Sequence, residues 1–309
     1  MRLSSFVQRH SRRLPHLTKT VRRFFKRWGY GAIALVLACT IVSSPTPSQA
    51  FDLGDIFNIL RHGVRVFQFS NLSDEQEVEL GKQIDRQLKQ SQIRVINAPE
   101  IVEYLDNIGQ RLASNSNRPE IPYRFQVVRD AKINAFATMG GFVYINAGLM
   151  AAADNEAQLS GVVAHEIAHI TQRHAVKQLR QRAIAEGVAS AAGVDRNQAV
   201  RIGVELALNR PRSRRDEFEA DYVGLEVLNR TGYAPEGLPD FLRKLLRARS
   251  VPTVLSTHPD TNERIARLEA QIAAIPNSDR GTGGLNSDRY RARIDSWFRV
   301  TRTDERQRR

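Results

Sequence analysis

The sequence predicts a mostly helical α+β fold with one small sheet, and three observations support this prediction. Apolar residues recur at three- and four-residue intervals through much of the chain, as they do on one face of a helix. Three short runs rich in β-branched and aromatic residues lie together between residues 123 and 145. At 309 residues, of which 41% are hydrophobic, the chain is long enough to bury a substantial core.

The first 50 residues are predicted to be a signal peptide. Basic residues accumulate up to Arg27, a short apolar run follows over 31–42, and Ser48 and Ala50 place small residues at a cleavage position. We therefore expect an exported protein, in the periplasm or another extracytoplasmic compartment. An uncleaved N-terminal anchor and lipidation at Cys39 remain as alternatives. Because Cys39 is the only cysteine, a chain without this leader forms no disulfide.

The positive charge lies at the two ends of the chain. Residues 1–50 contribute +9 and residues 280–309 contribute +5 to the net charge of +13, so residues 51–279 carry −1. Nucleic-acid binders concentrate positive charge on the folded domain, so this distribution argues against a nucleic-acid partner. Residues 276–309 are polar and then basic, and we expect a mobile tail. The arginines of this tail, with Trp297, leave peripheral membrane contact open.

Capping and proline signals mark the first two helices. Residues 51–72 form an apolar-rich N-terminal segment before them. Ser73 begins a capping box that ends at Gln76, which predicts a helix over 73–90. Pro99 opens a second helix, whose apolar residues share one face. That face consists of Ile101, Leu105, Ile108 and Leu112.

The β-rich runs at 123–128, 133–137 and 142–145 predict three strands. Gly140 and Gly141 lie between the last two runs and predict a hairpin turn. A long helix is expected to follow, capped by Asp154 and running past His169. Further helices are predicted at 216–229, 235–249 and 261–272.

The pattern His-Glu-Ile-Ala-His at residues 165–169 predicts a metal centre on the long helix. Residues four apart share one helix face, so His165 and His169 can bind one metal ion. Glu166 lies beside them, where it can act as general base on a water molecule. The pattern therefore indicates metal-assisted hydrolysis.

A catalytic zinc ion needs a third protein ligand. A third histidine at the next expected spacing is excluded, because Gln172 and Ala175 occupy the positions of the required glycine and histidine. His174 projects from the opposite side of a continuous helix, so we expect an ordinary surface or packing residue.

Glu217 and Asp221 are the better candidates for the remaining roles. They lie four residues apart on one predicted helix. This spacing suits a carboxylate ligand followed by a carboxylate that hydrogen-bonds a ligating histidine. The alternative is a charged helix face with ordinary ion pairs.

These motifs, followed by Ser-Thr-His-Pro at 256–259, resemble the gluzincin family of zinc metallopeptidases that includes HtpX, the CAAX prenyl proteases and BepA. The resemblance covers about residues 70–275 and implies a zincin-like domain whose small sheet lies beside the metal-binding helix. It implies one Zn²⁺ ion held by His165, His169 and Glu217. It further implies catalysis by Glu166 and support from Asp221. His258 would either stabilise the oxyanion or block the metal in a resting state.

The chain resembles soluble exported members such as BepA more than the membrane-spanning ones. We expect no helical repeat array like that of BepA in it. It implies a metallopeptidase domain over 73–275. The expected function is zinc-dependent endoproteolysis of unfolded or misassembled proteins in extracytoplasmic quality control. The alternative is a membrane-associated chaperone or assembly factor with a gated or structural zinc site. No pattern in the sequence indicates the oligomeric state.

Overall fold

The computed structural model describes residues 72–186, 195–209, 212–248 and 252–307, with side chains up to residue 297 except that of Asn209. The predicted signal peptide, Cys39 and all but the last residue of the segment 51–72 lie outside these ranges. Within them, the chain forms eleven α-helices and a three-stranded sheet, which confirms the predicted mostly helical α+β fold. None of the described helices combines the length and the apolar content that crossing a bilayer would require.

The helices are numbered in chain order. They are α1 (Asp74–Ser91), α2 (Pro99–Ser114), α3 (Ala147–Ala152), α4 (Glu156–Thr171), α5 (His174–Ala185), α6 (Arg196–Asn209), α7 (Arg214–Arg230), α8 (Gly237–Leu246), α9 (Thr253–Thr257), α10 (Thr261–Ala273) and α11 (Ser287–Gln307).

The sheet consists of β1 (Arg124–Val128), β2 (Ala135–Ala137) and β3 (Phe142–Asn146), in the order β1-β3-β2. β1 pairs with β3 in parallel, and β2 pairs with β3 as an antiparallel hairpin. The predicted turn joins β2 to β3. Gly140 and Gly141 adopt φ values of 74° and 95° there, a region that glycine enters without steric cost. One edge of β2 is therefore not covered by a neighbouring strand of this sheet.

Local signals fixed the first two helices. Ser73 and Gln76 form the predicted reciprocal capping box of α1. All four residues of the predicted apolar face of α2 are buried. Ser213 likewise caps α7 by accepting a hydrogen bond from the backbone N–H of Asp216.

The predicted start of the long helix is wrong by one residue. Asn155 caps α4, accepting a hydrogen bond from the backbone N–H of Gln158 at 3.0 Å. Asp154 instead binds Lys244, with 2.6 Å between Oδ1 and Nζ. The ion pair holds the Asp154 carboxylate away from the helix end, so its neighbour provides the cap.

Helix α4 lies in the centre of the domain, and every residue from Ala157 to Thr171 is buried. It packs against α7 on one side and against α2 and α8 on others. A helix enclosed on all sides is apolar on all sides, which explains why its sequence shows weak amphipathicity.

The prediction of a mobile tail after residue 275 is wrong for residues up to 297. Helix α11 inserts Tyr290, Ile294 and Trp297 into the main hydrophobic core. The Tyr290 hydroxyl also donates a 2.6 Å hydrogen bond to the carbonyl oxygen of Met150. The spacing of these apolar residues, four and then three, is that of one helix face among basic residues. Trp297 faces the core, so it is not available for the peripheral membrane contact that the sequence left open.

Candidate metal centre

The two motif histidines project from one face of α4, as predicted. Their Nε2 atoms lie 3.1 Å apart. Helix α7 runs close beside α4, because a Cβ atom at Gly224 would lie only 3.0 Å from the Cα of His165. This close approach brings Glu217 to the histidines. Its Oε2 lies 3.5 Å from Nε2 of His165, and its Oε1 lies 3.4 Å from Nε2 of His169.

His258 completes a group of four donors. It follows the short helix α9, and its Nδ1 lies 3.2 Å from Nε2 of His165. The same Nδ1 lies 3.0 Å from Oε2 of Glu217. All four side chains are buried, and their donor atoms lie within 4.8 Å of one another.

The spacing of these donors fits a tetrahedral zinc ion. Bonds of about 2.0 Å to nitrogen and oxygen place the corners of a tetrahedron about 3.3 Å apart. The five contacts between donor atoms given above run from 3.0 to 3.5 Å, with Oε2 of Glu217 facing His165 and His258 and Oε1 facing His169. Three imidazoles and one carboxylate are also ligands that zinc accepts and that calcium and magnesium do not favour.

Asp221 contacts His165 on the side away from the donor group, where sequence analysis placed it. Its Oδ1 lies 2.9 Å from Nδ1 of His165. Arg264, which sequence analysis missed, holds the same carboxylate with two hydrogen bonds of 2.7 Å. The Nη1 of Arg264 also lies 3.0 Å from Oε2 of Glu217. Arg264 is only 1% exposed, so it supplies buried positive charge to both carboxylates.

These charges set the protonation states of the centre. Burial alone would raise the pKa of Glu217, but His258 and Arg264 outweigh it and hold that pKa well below its usual range. Burial and the charge of Arg212 hold the pKa of His169 well below its usual range. Burial opposes protonation of His165 too, but the carboxylates of Asp221 and Glu217 raise its pKa to about 9. A bound cation would displace that proton, because metal ligands must be deprotonated.

Glu166 lies beside the donor group and is 1% exposed. Its Oε1 lies 3.4 Å from Nε2 of His258, and its Oε2 lies 3.4 Å from Nη1 of Arg212. Arg212 also donates a 3.3 Å hydrogen bond to the carbonyl oxygen of Ala137 in β2. Arg212 and His258 therefore cover the glutamate in this conformation. Arg212 was not predicted from the sequence, because no local pattern indicates a contact between the segment that precedes α7 and β2.

The predicted placement of His174 on the long helix is wrong. Helix α4 ends at Thr171, and Arg173 adopts a left-handed φ of 56°. His174 then begins α5, so the angular spacing along one helix does not apply to it. It is fully buried, and its Nδ1 lies 2.7 Å from Nδ1 of His169.

Comparisons with known proteins agree with this geometry. The model of peptidase family M48 matches residues 99–272, more than half of the chain. The beta-barrel assembly-enhancing protease of Escherichia coli is 35% identical over 214 residues, which are 64% of this chain and 44% of that protein. This chain thus spans less than half the length of that relative.

Two further relatives match a longer and a shorter part of the chain. The metalloprotease LoiP of Escherichia coli is 27% identical over 252 residues, covering 78% of this chain and 97% of LoiP. The mitochondrial metalloendopeptidase OMA1 of Schizosaccharomyces pombe is 29% identical over 173 residues, covering 54% of this chain and 51% of OMA1. The resemblance predicted from the motifs is confirmed, and the chain belongs to peptidase family M48.

Proposed function

We propose that the protein is an exported zinc-dependent endopeptidase that hydrolyses peptide bonds of misfolded or unassembled proteins. The observation that carries this proposal is a buried donor set of tetrahedral spacing with a carboxylate beside it. His165, His169 and Glu217 would hold one Zn²⁺ ion per chain, and Asp221 would orient His165. Family membership and the names of the metalloprotease relatives support the activity. Export rests on the leader pattern of residues 1–50.

The residues of the chain divide the reaction between them. Zinc, when bound, supplies a Lewis acid that makes water more acidic and polarises a carbonyl group. Glu166 takes a proton from the attacking water as the oxygen of that water adds to the carbonyl carbon. The same carboxyl group then returns the proton to the amide nitrogen as the C–N bond breaks. The buried surroundings of Glu166 strengthen these electrostatic interactions and exclude bulk water.

The edge of β2 that no neighbouring strand of this sheet covers suggests how a protein substrate is held. An extended peptide can add to the edge of a sheet through main-chain hydrogen bonds, which require little sequence preference. Ala137 at this edge lies within reach of the Arg212 group that also contacts Glu166. A substrate strand would therefore lie beside the catalytic glutamate, in place of Arg212. This mode suits unfolded or unassembled proteins, and one relative is named for enhancing β-barrel assembly.

His258 fits the role of a gate better than that of an oxyanion ligand. Its Nδ1 occupies the fourth corner of the donor set, where water and substrate would need to bind. The variant His258→Ala separates the two roles. A gate predicts that the variant keeps one zinc per chain and cleaves at least as fast as the wild type. An oxyanion ligand predicts a loss of about 10²–10³-fold in kcat.

The four-donor set also supports the alternative function of a chaperone or assembly factor, because structural zinc sites have four protein ligands. The full chain, its Glu166→Gln variant and the control Glu226→Gln can distinguish the two functions. For a peptidase, all three should bind one zinc, and only Glu166→Gln should fail to cleave an unfolded model protein. Equal cleavage by Glu166→Gln would contradict the assignment of the base. Protection of unfolded clients from aggregation, unaffected by zinc removal and without cleavage, would favour the chaperone.

A further inference from the structure

His174 is a buried histidine in contact with a metal-ligand candidate, and none of the roles above uses it. Its Nδ1 lies 2.7 Å from Nδ1 of His169, which is a short hydrogen bond between two rings. Its other ring nitrogen, Nε2, faces two carboxylates of α7. Nε2 lies 3.4 Å from Oε2 of Glu219 and 3.7 Å from Oδ1 of Asp216.

The hydrogen bond between the rings determines where the protons lie. Only one proton fits between two nitrogens that are 2.7 Å apart. His169 presents Nε2 to the donor group, so its neutral ring carries the proton on Nδ1. That proton is donated to Nδ1 of His174. His174 must then carry its own proton on Nε2, where Glu219 and Asp216 are placed to accept it.

We propose that His174 is a positioning residue, which fixes the tautomer and the ring orientation of His169 and passes the hydrogen-bond chain on to Glu219 and Asp216. The arrangement matches that of His165, whose Nδ1 contacts Asp221 directly. One ligand histidine is thus oriented by a carboxylate, and the other by a carboxylate through a second imidazole. This inference rests on the proposed zinc site.

His174, Asp216 and Glu219 could instead hold a second metal ion, since one donor atom from each lies within 4.8 Å of the others. The positions of the protons on the two histidine rings argue against this alternative. A metal on Nε2 of His174 would leave its proton on Nδ1, opposite the N–H of His169, and two N–H groups cannot share a 2.7 Å contact. Lys177 also lies 3.9 Å from Glu219, which places positive charge at the carboxylates already.

Zinc affinity, measured by competition with a chromogenic chelator, tests the inference without reference to catalysis. His174→Leu removes the acceptor and should weaken zinc binding by about 10–100-fold. His174→Asn should restore most of the affinity, since its amide oxygen can take the place of Nδ1 and accept from His169. The absorption spectrum of the cobalt-substituted protein should change in His174→Leu and return toward that of the wild type in His174→Asn.

Glu219→Ala provides a second variant. The side chain of Glu219 is one-third exposed and is not part of the core. It should weaken zinc binding in the same direction but less, because Asp216 remains. Glu226→Ala, on the same helix and away from His174, is the matched control and should bind zinc as the wild type does. Urea unfolding of the zinc-free variants separates a loss of affinity from a failure to fold.

The outcomes distinguish a failure of the proposed zinc site from a failure of the role proposed for His174. A wild-type chain that binds no zinc would overturn the proposed function and this inference with it. One zinc per wild-type chain, with unchanged affinity in folded His174→Leu and in Glu219→Ala, would overturn the inference alone. Two zinc ions per chain, one of them lost in Glu219→Ala, would replace it with the second metal site.

Discussion

Replacing the buried Arg264 with methionine should destabilise the zinc-free protein strongly. Arg264 makes two contacts of 2.7 Å with Asp221 and one of 3.0 Å with Glu217, at 1% exposure. Methionine fills a similar length but removes the guanidinium from two buried carboxylates, which leaves His165 as the cationic partner of both. Removing one partner of a buried ion pair costs about 3–5 kcal/mol. With zinc bound, the cation would neutralise Glu217, and Asp221 would keep only its contact with His165, so the cost should fall to about half of that.

Urea unfolding followed by circular dichroism, with and without a chelator, measures both values. Arg267→Met is the matched control, one turn further along α10. Arg267 is 60% exposed, and it pairs with Glu263 at 2.9 Å and stacks on Phe218. Surface ion pairs and cation–π contacts of this kind contribute about 1 kcal/mol or less. A loss below about 1 kcal/mol for zinc-free Arg264→Met, or a loss that zinc does not reduce, would refute the reasoning.

Predictions for three further substitutions concern packing. Gly224→Ala should lower both the stability and the zinc affinity, because its Cβ would lie 3.0 Å from the backbone of His165 and push α7 away from α4; the gain of about 1 kcal/mol in helix propensity does not prevent this. Gly161→Ala, whose Cβ would meet Leu238 at 2.8 Å on another face of α4, should lower stability in urea titrations but leave zinc competition unchanged. Trp297→Ala should cost about 3–5 kcal/mol in thermal or urea unfolding, since its side chain is buried in the core. A mobile tail would show no change on the same substitution.

The parts of the fold that sequence analysis predicted well depend on local signals. The capping box at Ser73 and the helix face of α2 require only neighbouring residues, and both appear as predicted. The break after Thr171 has no such signal. It places a left-handed φ on Arg173 rather than on a glycine, just after a helix that is buried on all sides and shows no clear apolar face. The prediction of a mobile tail failed for another reason. Its apolar residues are few and lie among basic ones, and they form a buried face only when they pack on the core.

The candidate site shows the same division. His165, Glu166 and His169 share one turn of one helix, so their spacing alone brings them together. Arg264 has no recognisable spacing, because its pairing with Asp221 depends on how α10 packs against α7. The contact between His174 and His169 exists only because the chain turns at Arg173. Apart from Asp221, the residues that charge or orient the ligands are therefore those that the sequence could not indicate.

The two arginines of the centre are held differently, and this difference bears on how the site opens. Arg264 is anchored to Asp221 by two 2.7 Å bonds, whereas the contacts of Arg212 with Glu166 and Ala137 are 3.3–3.4 Å long and leave it 12% exposed. A substrate strand on β2 would compete directly for the carbonyl oxygen of Ala137. Arg212 and His258 both contact Glu166, so a substrate must displace both to reach the base. Removing His258 alone should thus leave part of the barrier, and we expect only a partial gain in kcat/KM from His258→Ala in the cleavage of an unfolded model protein.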